Sequence, residues 1–290
     1  MIDAGRILMK LHAMELMPVQ PESSFCQHLA PNEAHLWWAR VGAMPAEVSA
    51  ALRSLLSEEE QLRLDSIALE ARRQEYLVTR ALVRSVLSRY EAVEPAAWVF
   101  QSNAHGRPGV ARPRTSIYYD FNVSHARGIV LCLVARGRRV GVDVERVDPK
   151  VEVLDVGAHF FAPSERADLV ATAADLRCRR FFEYWTLKES YVKACGKGLA
   201  MALDSFAFSL QAGRQPRLRV SAPGDASHAL WFFDSFSPGR EHVAAVTVER
   251  RYPDEPIAVA YRSVPGVPGH PWGKGESSPR DPYPHIANRS

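Results

Sequence analysis

The chain is poor in cysteine, and the four it has, Cys26, Cys132, Cys178 and Cys195, lie far apart with no C-x-x-C pair. No histidines stand near them at metal spacing, which sets aside a zinc module or a disulfide scaffold and fits thiols kept reduced. Long hydrophobic runs are missing too: none approaches the ~20 residues that cross a bilayer. The most apolar opening, Met1 to Met17, is broken by Asp3, Lys10, His12 and Glu15, and no small-residue cleavage site follows it. The expectation is an uncleaved, cytoplasmic protein with no membrane partner. A strong charge excess is lacking as well. Lys plus Arg number 36 against 33 Asp plus Glu, a net +3 that attracts an anionic partner weakly and does not choose between nucleic acid and a phosphorylated ligand. There is no G-x-x-x-x-G-K-[ST] loop, no G-x-G-x-x-G after a strand and no G-x-S-x-G, so P-loop, Rossmann and nucleophile-elbow chemistry have no support. What is present is 290 residues, 47% hydrophobic and 24% charged, the composition of an ordinary globular protein longer than one domain of ~100–200 residues.

Residues 1–33 have no clean period and read as an extension. The last 28 residues, from Ser263, hold six prolines and four glycines. Too little apolar surface remains there to offset chain entropy, so residues 263–290 are expected to be a disordered tail. Between them, His35-Leu-Trp-Trp-Ala-Arg-Val reads as a strand, and Ser57-Glu-Glu-Glu opens a helix with Ser57 as N-cap and Glu60 closing a capping box. Arg72 to Tyr90 reads as a helix with Tyr76, Val83 and Leu87 on one stripe, and Arg80 falls on that stripe. Asn103 to Pro108 is a loop. Asp120 to His125, Gly128 to Ala135 and Val140 to Glu145 are strands, Pro163 to Gly196 is mostly helical, and Ser205 to Leu210 and His242 to Glu249 alternate as strands. The order predicts two similar α+β halves, 34–137 and 138–262, each a small sheet packed with a long helix.

In Gly141-Val-Asp-Val-Glu the period of two puts Asp143 and Glu145 together on one face. Two adjacent carboxylates repel unless a cation lies between them, which suits a hard divalent ion, although the same pattern also serves a solvated face. In Phe181 to Lys193, Phe182, Trp185 and Val192 form an apolar stripe, and Glu189 falls inside it. It is either paired with Lys193 one turn on or a third metal ligand, with Lys188 and Lys193 flanking an anionic substrate. Arg80 must meet a buried acid or a bound anion. Arg63, Arg73, Arg84 and Arg107 are further cationic candidates. His125 follows a strand end, where functional side chains are common, although a lone histidine there is more often a structural donor. A carboxylate cluster facing cations suits a pyrophosphate-containing substrate.

Read in order, Phe121-Asn-Val-Ser-His125, Gly141-Val-Asp-Val-Glu145 and Trp185-Thr-Leu-Lys-Glu-Ser-Tyr-Val-Lys193, followed by Gly196-Lys-Gly-Leu, resemble the 4′-phosphopantetheinyl transferases of the surfactin-synthetase (Sfp) type. Gly106-Arg-Pro stands where that family has G-K-P or G-R-P, and the likeness spans roughly Trp37 to Val248. The resemblance implies a pseudo-twofold α/β fold of two halves with coenzyme A in the cleft between them. It implies transfer of the phosphopantetheine arm to a serine of an acyl or peptidyl carrier protein, an acidic helical domain, with release of adenosine 3′,5′-bisphosphate by a monomeric enzyme that uses no nucleic acid. Carried over by position, Asp143, Glu145 and Glu189 hold Mg²⁺. Glu189 or a metal-bound water takes the serine proton, and Lys193, with Lys188 behind it, steadies the pyrophosphate and the leaving phosphate. Ser124, His125 and the first-half cations Arg63, Arg107 and Arg80 bind the 3′-phosphate end. One departure is Glu60, where some members have a basic residue. Two competing readings remain at this stage: a metal-dependent phosphohydrolase acting on small phosphate esters, and a nucleic-acid-binding protein, in which the three acids would have no task.

Overall fold

The computed structural model describes residues 26–211, 213–220 and 230–263. The first 25 residues of the expected extension, and the expected tail beyond Ser263, lie outside them. Two compact units emerge. One runs to Val140 and takes in the chain from Pro256; the other covers Gly141 to Glu255.

The first unit is built on a four-stranded sheet. Its strands are β1 (Glu33–Arg40), β4 (Tyr119–Ala126), β5 (Ile129–Arg136) and β11 (Ala258–Ser263), in the order β11-β1-β5-β4. A small ribbon of β2 (Val99–Ser102) and β3 (Pro108–Arg112), hydrogen-bonded separately, packs against it through Phe100 and Phe121. Three helices accompany the sheet: α1 (Ala46–Ser54), α2 (Glu58–Asp65) and α3 (Glu70–Leu87). The expected capping box at Ser57 and Glu60 forms, giving α2 a defined start. An unbroken apolar run from Ile129 to Ala135, with β-branched Ile129, Val130 and Val134, makes β5 a strand buried on both faces. Its tight link to β4 works because Gly128 takes φ +91°, a conformation without steric cost only for glycine. Leu77, Ala81 and Val86 of α3 belong to one core with Trp37, Val130 and Cys132 of the sheet.

Two features depart from the sequence reading here. Leu29, inside the expected extension, is 3% exposed and part of this core. The strand β11, assigned by the sequence reading to the second half, pairs in parallel with β1 of the first unit. Parallel pairing to a strand more than two hundred residues away leaves no local signal, because only non-local contacts specify it.

The second unit carries β6 (Val140–Arg146, whose first residue closes unit one), β9 (Trp231–Phe236) and β10 (His242–Glu249) in the order β6-β10-β9. A two-stranded ribbon pairs β7 (Phe206–Ser209) with β8 (Arg217–Val220). Helices α4 (Val153–Phe160), α5 (Pro163–Ala171) and α6 (Ala174–Cys195) complete it. The 22-residue α6 ends at Gly196, which caps it in the left-handed conformation at φ 67°. Phe181, Tyr184, Leu187 and Tyr191 of α6 pack with Phe233 and Ala245. Ser190 Oγ and Thr247 Oγ1, both fully buried, lie 2.8 Å apart and pin α6 to β10. The helices α1 and α4 and the strands β2, β3, β8, β9 and β11 are additional to those the sequence reading drew.

Candidate active site

The site begins with a missing side chain. Gly141, Asp143 and Glu145 share one face of β6, since alternate residues of a strand point the same way. A Cβ on Gly141 would strike the carbonyl oxygen of Ser190 and come within 2.6 Å of the Ala194 nitrogen, both backbone atoms of α6. Glycine therefore lets the helix backbone lie directly on the face that carries the two acids. The contact brings the last turns of α6, with Glu189 and Lys193, alongside Asp143 and Glu145. The sequence contained a signal for this, because glycine within a strand marks a close backbone approach.

Lys193 Nζ donates to Asp143 Oδ1 at 2.6 Å and to the carbonyl of Val142 at 3.3 Å. Asp143 is 4% exposed, so the solvated-face reading of this strand does not hold. The Glu145 carboxyl is pushed up to about 7, by burial first, then by the charges of Asp143 and Glu189, with Lys193 opposing. Glu189 is raised as well, chiefly by burial and then by the charge of Asp143, with Lys193 again lowering it. These are the marks of three acids crowded together with too little positive charge. Among the described residues, no group of three or more His, Cys, Asp or Glu side chains stands arranged to hold a metal ion. Asp143 has its Oδ1 turned to an ammonium instead. The donor set itself, carboxylate oxygens only, is of the kind a hard divalent cation takes.

Lys188 lies elsewhere, and its expected place beside a substrate is corrected by the structure. It is fully buried, as is Glu165, and their ion pair spans 2.7 Å. Its ammonium also donates to the carbonyls of Leu203 and Phe206 and sits 4.5 Å from the centre of the Phe206 ring. Glu165 in turn accepts from the backbone nitrogens of Ala162 and Phe208. Burial drives both groups toward neutrality, and each partner's charge opposes this. The pair knits α6 to the start of α5 and to β7. Lys188 and Glu189 are neighbours on a helix and so point about 100° apart, one into the core and one into the site. Sequence reasoning passed over Glu165; its position three residues after the N-cap of α5 was the available signal.

In the first unit the candidate cations divide. Arg84, 2% exposed, binds Glu60 at 2.6 Å and the carbonyls of Pro95 and Trp98. Arg80 lies 3.8 Å from the other oxygen of Glu60 and over the Tyr76 ring. The buried-acid alternative for Arg80 is thus met by Glu60, the residue that departs from the family pattern. Arg107 donates to Asp120 at 2.6 Å and to the carbonyl of Val140 at 2.8 Å. Asp120, raised by burial and lowered in part by Arg107, also accepts from the Val140 backbone nitrogen. Arg73 is engaged with the carbonyl of Ile67 at the start of α3. Arg63 is exposed. Ser124 is 6% exposed, within β4. His125, next to it, has a side chain 44% exposed and 3.3 Å from Glu75.

Comparison with known proteins accords with this layout. Residues 139–247 match the 4′-phosphopantetheinyl transferase superfamily, and residues 42–137 match the 4′-phosphopantetheinyl transferase N-terminal family. The 4′-phosphopantetheinyl transferase HetI of Nostoc sp. is 30% identical over 220 residues, covering 76% of this chain and 89% of that one. A phosphopantetheinyl transferase of Thraustochytrium sp. is 30% identical over 82% of this chain and 86% of its own. The 4′-phosphopantetheinyl transferase Sfp of Bacillus subtilis is 29% identical over 65% of this chain and 80% of its own. The chain belongs to the 4′-phosphopantetheinyl transferase family, as its motif order implied, and is an enzyme of the kind that moves the phosphopantetheine arm of coenzyme A to a carrier protein.

Proposed function

We propose that the acids and lysine gathered on β6 and α6 are the centre at which the phosphopantetheine arm of coenzyme A passes to a serine hydroxyl of an acyl or peptidyl carrier protein, leaving adenosine 3′,5′-bisphosphate. The observation that carries this is the seating of α6 on β6 at Gly141, which sets Lys193 on Asp143 at 2.6 Å with Glu145 and Glu189 close enough to feel the same charges. Asp143, Glu145 and Glu189 would hold Mg²⁺, whose charge, when bound, offsets that of the pyrophosphate oxygens. Glu189, or a water held on the metal, would accept the proton of the attacking serine. The Lys193 ammonium neutralises the charge that builds on the departing phosphate oxygen. Burial of Asp143 limits water near these groups, which strengthens each electrostatic contact.

His125 and Arg63, whose side chains are exposed, are assigned to the 3′-phosphate. Arg80 and Arg107 each already face a carboxylate and are assigned to holding the surface around it. The net positive charge favours approach of an acidic carrier. No helix among the described residues is long and apolar enough to cross a membrane. The proposal places the enzyme in the cytoplasm as a monomer.

The test is direct. The protein is incubated with coenzyme A, Mg²⁺ and an apo carrier protein, and the carrier is weighed. A gain of one phosphopantetheine, lost on chelation and in Asp143→Ala, is expected. Release of phosphate from coenzyme A with no gain on several carriers would instead make the site a phosphohydrolase.

A further inference from the structure

We propose that Lys193 is a built-in competitor for the cation: its ammonium is the counter-ion of Asp143 before the metal arrives, and cation loading releases it to the substrate's phosphate. The inference rests on the reading of Asp143, Glu145 and Glu189 as the cation site. Two contacts of Lys193 are to β6, the carboxylate of Asp143 and the carbonyl of Val142, and they hold the ammonium down on the strand. Asp143 is almost wholly buried, with a side chain 5% exposed against 29% for Lys193. Of the two, the lysine has the room to move. It reaches from the last turn of α6 on a flexible four-carbon stem, whereas Asp143 is fixed within a strand covered by the helix backbone at Gly141.

A dication on Asp143 puts two positive groups on one carboxylate, and like charges a few ångströms apart in a half-buried site repel strongly. The ammonium then leaves Asp143; Glu145 and Glu189, which also feel its charge, would be taken up by the same cation, so the negative charge left for the ammonium is the pyrophosphate that follows the metal. Cation and substrate are thereby coupled through one side chain. In the metal-free protein Lys193 is committed to Asp143 and adds little to coenzyme A binding. In the loaded protein it is released and adds much. A lysine that stood ready for phosphate in both states would contribute equally to each.

The experiment is titration calorimetry of coenzyme A into the full-length wild type, Lys193→Gln and Asp143→Asn, each in chelator and in saturating Mg²⁺. In chelator, wild type and Lys193→Gln are expected to bind coenzyme A within about threefold of one another. In Mg²⁺ the wild type is expected to be tighter by about tenfold or more, within the usual span of coupling between two sites. Mg²⁺ alone should bind Lys193→Gln more tightly than wild type. An equal loss of coenzyme A affinity with and without metal overturns the proposal. A wild type that shows no Mg²⁺ binding, or one unchanged by Asp143→Asn, overturns the cation site itself. Lys193→Arg serves if the glutamine variant fails to fold. Its fork grips Asp143 with two hydrogen bonds and should weaken Mg²⁺ binding by about tenfold; unchanged Mg²⁺ affinity in that variant counts against the proposal.

Discussion

Replacing Gly141 by alanine adds one methyl group at the point where β6 meets α6. The new Cβ would collide with the Ser190 carbonyl oxygen, lie 2.6 Å from the Ala194 nitrogen and 3.0 Å from the Ser190 carbonyl carbon. Ordinary contact distances are ~3.5 Å or more, so the helix backbone must retreat by roughly 1.5 Å. None of the three atoms belongs to a side chain that could swing aside. The Ser190 to Thr247 hydrogen bond, which holds α6 on β10, resists that movement. Overpacking of this kind costs ~1–3 kcal/mol, and a fixed backbone puts this case at the upper end. The catalytic consequence is larger than the stability one. That displacement carries Glu189 and Lys193 away from Asp143, and misplacement by even about 1 Å costs on the order of 100-fold in rate. Thermal unfolding followed by circular dichroism measures the first effect, and the rate of carrier loading by mass spectrometry measures the second. A Gly141→Ala enzyme with wild-type melting temperature and wild-type rate would refute the reasoning that the glycine brings the two elements together.

The Glu145 carboxyl, raised in the folded protein from 4.5 to about 7, stabilises the metal-free fold below pH 4.5 and ceases to do so as the pH rises through 7. The melting temperature in chelator should therefore fall across that window more steeply in wild type than in Glu145→Gln, and parallel curves would speak against the assignment. Lys188→Met leaves Glu165 charged in the core without its cation and should cost ~3–5 kcal/mol, with the added change Glu165→Gln restoring most of it. A Lys188→Met protein of normal stability that had lost only coenzyme A affinity would return this lysine to the substrate. His125→Ala, at an exposed position, should change unfolding free energy by no more than ~0.5 kcal/mol while weakening coenzyme A binding, read by calorimetry.

Much of this protein was decided within short stretches of chain. The period of two at Asp143 and Glu145, the capping box at Ser57, the apolar run of β5 and the helical spacing around Glu189 are local patterns, and local hydrogen bonding or burial enforces each of them. Two of those stretches, around Asp143 and around Glu189, with Phe121 to His125 ahead of them, were enough in order to indicate the family. Tertiary structure alone settled the partners. Whether a buried cation meets an acid or a ligand depends on which distant segment arrives beside it. Lys188 and Lys193 sit five residues apart on one helix, yet one is sealed against Glu165 and the other reaches Asp143. Glu60 is near in space to Arg84 and Arg80 only because α2 folds back along α3. Strand β11 joins β1 through backbone hydrogen bonds that carry no side-chain signature. Spacing along a chain states which groups share a face; only packing, which is non-local, states what that face meets.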